Sequence, residues 1–129
     1  MSEKKYTIEL TETQLCMIAE CVEDCHRFMA GQVELQNMTS RLDEYRKLQD
    51  GLRELKPLVT PAIPERGASY KWSGTHCPNE HQRKFIAQTY PIYREIYHFF
   101  AVSKGLDNVY ASETLTCADG GEPIKIKAL

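Results

Sequence analysis

The sequence predicts a mainly helical α+β fold, with three long helices, the third kinked at Pro91, and a small antiparallel sheet made by an N-terminal strand and C-terminal segments. Two patterns predict it. Apolar or neutral residues recur every three or four positions in three separate stretches, which keeps each set on one face of a helix. Residues 5–10 instead alternate, with Tyr6, Ile8 and Leu10 on one side and Lys5, Thr7 and Glu9 on the other, the pattern of a half-buried strand.

The strand runs into Thr11, whose hydroxyl suits an N-cap, and Gln14 three residues on completes the spacing of a capping box. The first helix is expected over residues 11–36, on the stripe Leu15, Ile18, Val22, Cys25 and Met29. Gly31 offers a C-terminal stop, but Val33 and Leu35 beyond it favour continuation to about Asn37. Thr39 or Ser40 then opens a second helix on Leu42, Tyr45, Leu48, Leu52 and Leu55, which Pro57 ends. The two helices are expected to form an antiparallel hairpin.

Residues 57–76 form the longest stretch without periodicity, holding Pro57, Pro61, Pro64 and the single tryptophan, Trp72. An aperiodic loop of this length in a small domain is often functional; Tyr70 and Trp72 could equally pin it onto the helices. The third helix is expected over residues 79–102. Its stripe of Phe85, Thr89, Ile92, Ile96 and Phe99 stays in phase across Pro91, a second line of Tyr90, Tyr93 and Tyr97 runs beside it, and Gly105 marks its end. Short extended pieces near residues 108–111, 115–117 and 124–126 are the expected partners of the first strand.

At 129 residues the chain has room for one domain, expected over residues 1–129. A formal charge of −2 argues against duplex nucleic-acid binding through a general basic surface. No run approaches the roughly 20 apolar residues of a membrane span, and the polar start of the chain carries no secretory signal. Five cysteines, an odd number, are expected to be reduced thiols in a cytoplasmic setting.

The residues suggest few catalytic arrangements. Cys21 and Cys25 share a helical face, as do Cys77 and His81, and the four could in principle hold zinc; helical cysteines are more commonly small core residues. Cys25 or Cys77 with a nearby histidine lacks the strand-to-helix turn and oxyanion loop of a thiol nucleophile. No glycine-rich phosphate loop is present, no cofactor is implied, and the expectation is a protein that is not an enzyme. A binding constellation is more prominent. Arg27, Gln32, Tyr70, Lys71, Trp72, Tyr90 and Arg94 combine guanidinium, ammonium and aromatic groups, which suit phosphates and a stacked base. The same groups are enriched at protein interfaces.

Several short motifs carry a family resemblance: Arg27-Phe-Met-Ala-Gly-Gln32 after an opening strand and helix, Gly67-Ala-Ser-Tyr70, Ile92-Tyr-Arg-Glu-Ile96, Asn108-Val-Tyr110 and Gly121-Glu-Pro-Ile124. Together they resemble a family of small bacteriophage- and prophage-encoded accessory proteins. Ile124-Lys-Ile126 departs from the Pro-Leu-Pro-like run with which that family's tail often continues. The resemblance implies an accessory protein acting in the cytosol of an infected bacterium. With the binding constellation, the expectation is sequestration of a cyclic or linear nucleotide immune signal at a homo-oligomer interface. Arg27, Lys71 and Arg94 would hold phosphates, Tyr70, Trp72 and Tyr90 would stack the base, Gln32 would read a polar edge, and residues 70–72 would act as a lid. The alternative is a helical module that binds a host or phage protein through the tyrosine face of the third helix.

Overall fold

In the computed structural model, which describes residues 3–63, 80–105 and 124–129, the first helix begins at its capping box. Gln14 N–H donates to Thr11 Oγ1 (3.1 Å) and Thr11 N–H donates to Gln14 Oε1 (2.9 Å). Helix α1 spans Glu12–Met29, α2 Gln36–Thr39, α3 Tyr45–Arg53, α4 Lys56–Val59 and α5 Glu80–Ser103. The described part is therefore two long helices joined by three short ones.

The end of α1 differs from expectation and has a local cause. Gly31 sits at φ +90°, a conformation that glycine adopts without penalty. Gln32 N–H donates to the Arg27 carbonyl (2.8 Å) and Gly31 N–H to the Phe28 carbonyl (2.9 Å), the two bonds of a Schellman stop. Val33 does not extend the helix; it is buried in the turn that follows.

The second long helix is likewise broken: α2 lies ahead of its expected start at Thr39 or Ser40, and α3 and α4 divide the rest. Leu35, in the left-handed region at φ +50°, precedes α2 and supplies no side-chain cap. The cap comes from α1: Asp24 Oδ1 accepts from Asn37 N–H and Oδ2 from Met38 N–H, both at 2.9 Å. Thr39, fully buried, donates to the Leu35 carbonyl (2.9 Å) and accepts from Gln49 of α3 (2.8 Å). Pro57 lies in the first turn of α4, where its missing N–H costs nothing, and does not close a long helix.

The main partner of α1 is α5, not the segment that follows it. Ala19 meets Tyr93 and Ile96, Glu23 meets Tyr97, His26 meets Thr89, and Met29 meets Gln82. From Glu23–Tyr97 through His26–Thr89 to Met29–Gln82 one helix rises in number as the other falls, so the pair is antiparallel. The core cluster is Ala19, Tyr93 and Ile96, flanked by Leu15, Val22, Tyr90, Phe100, Ile124 and Ile126. The stripe of α1 is rotated from the expected one: Ala19 is fully buried, whereas Ile18 and Cys25 are exposed. Helix α5 runs through Pro91, itself buried, and ends at Ser103, two residues before Gly105, φ +71°.

The expected sheet is not seen. Among the described residues there is no strand: residues 3–10 and 124–129 form none. Alternation makes a segment able to be a strand, but a strand exists only where a neighbour receives its main-chain groups. Ile124 and Ile126 lie against the helical core, while Tyr6 and Ile8 are 81% and 70% exposed. The expected strand partners at residues 108–111 and 115–117 lie outside the described residues, as does most of the expected loop. Among the described residues no helix is long and apolar enough to cross a membrane.

Candidate functional site

The antiparallel pairing of α1 and α5 brings a cluster of polar and aromatic side chains to one seam. Across it Glu23 bonds Tyr97, His26 packs against Tyr90 and Tyr93, and Arg27 and Arg94 both act electrostatically on Tyr93. Four of the residues expected to bind ligand, Arg27, Gln32, Tyr90 and Arg94, lie on or beside this seam. Tyr70, Lys71 and Trp72 lie outside the described residues.

Glu23 is the hub. Its Oε2 accepts from Arg27 Nε (3.2 Å) and Nη2 (3.1 Å), and its Oε1 accepts from Asn37 Nδ2 (2.7 Å) and Tyr97 Oη (2.9 Å). One carboxylate thereby ties α1 to both α2 and α5. Burial pushes its pKa up, but the hydrogen bonds from Asn37 and Tyr97 and the charge of Arg27 outweigh that and leave it below the ordinary 4.5. With four donors engaged it is a structural acceptor and a poor general base.

Arg27 is held in place. Besides Glu23 it donates from Nη1 to Gln32 Oε1 (3.1 Å). Gln32 and Arg27 occupy the two positions of the Schellman stop whose side chains usually make an apolar contact; here that contact is a hydrogen bond. The guanidinium is fixed at the lip of the seam with its side chain 39% exposed.

His26 points into the seam. His26 Nδ1 and the Thr89 hydroxyl share a hydrogen bond of 2.9 Å whose direction depends on the imidazole tautomer, and the same hydroxyl can donate to the Phe85 carbonyl (2.8 Å). The imidazole lies 5.6 Å from Tyr90, tilted by 30°, and 5.2 Å from Tyr93, edge to face. Burial chiefly, then the charge of Arg27, lower its pKa to about 4 against a smaller opposing pull from Glu23. Tyr93, buried, has its hydroxyl pKa raised by burial first and by Glu23 second.

The outer part of the seam is the Tyr90–Arg94 pair. The two are one turn apart on α5, and the Arg94 guanidinium carbon stands 5.4 Å from the centre of the Tyr90 ring. Both side chains are half-buried. A cation over an aromatic face, with a second guanidinium nearby, is an arrangement that can take an anion and a flat ring together.

The other chemistries weighed from the sequence find less support. Cys21 and Cys25 are exposed on α1 and His81 is exposed at the start of α5. Cys77 lies outside the described residues. Among the described residues no three histidine, cysteine or acidic side chains are grouped as metal ligands. Cys25 faces solvent while the neighbouring His26 faces α5, so the two do not pair.

Glu23, Asp24, His26, Asn37 and Gln82 are the seam residues that sequence reasoning missed. The i, i+3, i+4 spacing of Glu23, His26 and Arg27 was a usable signal. The remote cap from Asp24 had no local one. Comparison with protein-family models, with curated proteins and with solved structures found no match.

Proposed function

We propose that this chain is a non-enzymatic binding protein that holds a small nucleotide at the outer part of the α1–α5 seam. The observation that carries the reading is the Arg94 guanidinium over the Tyr90 ring at 5.4 Å, with the fixed Arg27–Gln32 pair on the facing helix end. In this reading the base stacks on Tyr90, Arg94 and Arg27 take phosphate oxygens, and Gln32 reads a polar edge. Tyr70, Lys71 and Trp72 complete the set in the same proposal. The resemblance to phage accessory proteins extends it: the protein acts in the cytosol of an infected bacterium, as a homo-oligomer that sequesters a nucleotide immune signal.

The test is calorimetry and thermal melting of the purified protein against a panel of cyclic and linear nucleotides, with native mass spectrometry for co-purified small molecules. Binding is expected, and Arg94→Ala and Tyr90→Ala should each weaken it at least about tenfold, the loss of one charge-assisted or stacking contact. Absence of any bound molecule and of any melting shift would overturn the proposal.

A second reading, a helical interaction module, is favoured by a different observation. Tyr93 and Tyr97 are engaged with α1, whereas Leu48 of α3, Leu58 of α4 and Leu55 between the two helices are exposed and offer an apolar surface for a protein partner. Stoichiometric capture of one host or phage protein, lost with Leu55→Glu, would support this reading over the first.

A further inference from the structure

Helix α1 has three distinct sides. Ala19, Glu23 and His26 face α5. Glu20 and Asp24 face the corner at α2, Glu20 through its ion pair with Arg41 and Asp24 through the Asn37 and Met38 N–H groups. Cys21 and Cys25 lie on the third side, both exposed and both free thiols. They are four residues apart in one unbroken helix, so one stands a turn above the other on the same face. The turn between them is anchored on the other two sides. Glu23 holds it to Asn37 and Tyr97, and Asp24 holds it to the start of α2.

This anchoring decides what the two sulfurs can hold. Residues at i and i+4 of a helix keep their Cβ atoms about 5–6 Å apart. A disulfide needs them at about 3.5–4.5 Å, and closing that gap would distort the anchored turn. A single atom bridging the sulfurs fits instead. With metal–thiolate bonds of about 2.3 Å the two sulfurs stand up to about 4.6 Å apart, and the Cβ atoms stay where the helix sets them.

We propose that Cys21 and Cys25 form a two-thiolate site for a soft monovalent cation, copper(I). Thiolates select soft ions. Copper(I) is satisfied by two such ligands in line, whereas structural zinc takes four. The neighbouring carboxylates of α1, Glu20 and Asp24, are already engaged, so sulfur is the donor. Met17, one turn before Cys21, has its sulfur 3.2 Å from Arg41 Nη1 and is not a ligand in this proposal. On binding, each thiol gives its proton to solvent and each sulfur gives an electron pair to the copper. One copper(I) and two thiols thus yield a bis-thiolate anion and two protons, with no change of oxidation state. The site lies away from the Tyr90–Arg94 pair and does not rest on nucleotide binding.

The experiment is anaerobic competition for copper(I) against a coloured chelator, with native mass spectrometry for stoichiometry and circular dichroism for helix content. It uses the full chain carrying Cys16→Ser, Cys77→Ser and Cys117→Ser, which keeps only the pair. One copper(I) per chain is expected, bound more tightly as pH rises. Cys21→Ser or Cys25→Ser in that chain should weaken binding at least about a hundredfold, more than the loss of an outer-shell partner costs. Cys21→Ser together with Ile18→Cys keeps two thiols at exposed positions but sets them two turns apart, and should bind no better than either single variant. Undiminished affinity in a single variant or in the spaced variant would overturn the proposal. So would zinc held more tightly than copper(I), or an intrachain Cys21–Cys25 disulfide formed on oxidation with helix content kept. If the triple variant loses its helix content, the wild-type chain should bind one copper(I) more than its Cys25→Ser variant, and equal counts would overturn the proposal.

Discussion

Asp24 shows how one side chain sets the path of the chain. Its carboxylate, 5% exposed, accepts the Asn37 and Met38 N–H groups and so caps a helix to which it does not belong. It does so beside Leu35, whose left-handed backbone is unfavourable for any residue but glycine or asparagine. Asp24→Ala removes both acceptors and leaves two donors without partners. It should lower unfolding free energy by about 2–3 kcal/mol, read from urea midpoints at constant m-value. Asp24→Asn keeps one acceptor oxygen and should lose less. The neighbouring Glu23 performs the corresponding task for side chains, joining Arg27, Asn37 and Tyr97 on one carboxylate.

At the scale of the helix, α1 meets α5 through a small residue. Ala19 is fully buried against Tyr93 and Ile96, and its lack of a long side chain allows the close approach. Ala19→Leu should destabilise by about 1–3 kcal/mol through overpacking, while Ile18→Ala, at a position 36% exposed, should change stability by no more than about 0.5 kcal/mol. Thermal unfolding of the two variants side by side checks the orientation of the helix. The sequence points the other way, because Ile18 is apolar and Glu23 and His26, which line the true contact face, are not.

The same contrast runs through the fold. The start of α1 and the passage of α5 through Pro91 were legible, since capping and periodicity are local. The length of the first helix was misread because Val33 and Leu35 are apolar; they are apolar for a turn, not for a further coil of helix. The start of α2 was invisible, since its cap arrives from Asp24, thirteen residues away, and the break before α3 falls where the expected stripe begins, at Leu42, which is 50% exposed. The sheet was read from alternation alone, which says nothing about a neighbour. Of the site, Arg27, Gln32, Tyr90 and Arg94 were singled out one by one for their chemistry; their contacts within the pairs Arg27–Gln32 and Tyr90–Arg94 were not read, nor was the role of His26, because an inward-facing polar residue resembles a solvent-facing one in sequence.

For the whole molecule, acid is the sharpest probe. His26 has a pKa of about 4 in the folded chain and an ordinary 6.5 when unfolded. As pH falls from 6.5 toward 4, the unfolded chain binds a proton that the folded chain does not, so stability falls across that window. The full loss is about 3 kcal/mol by linkage. Glu23, depressed below 4.5, acts in the same direction but later: its contribution is present above 4.5 and is lost as pH falls through the folded value. Unfolding free energy measured by urea from pH 7 to pH 4 should therefore decline with a midpoint near pH 5, and His26→Gln should flatten that decline.

The contacts of α1 also differ in how far along the chain they reach. Asp24 meets Asn37 across 13 residues, whereas Glu23 meets Tyr97 across 74. Closing the longer loop costs about 1.5 kcal/mol more in chain entropy. Folding therefore has an order written into it. The corner of α1 and α2 can close early from neighbouring residues, and α5 docks afterwards onto a surface already shaped by the time it arrives. Substitutions at Asp24 should then slow refolding, while those at the contact of α5 with α1, such as Thr89→Ala, should mainly hasten unfolding.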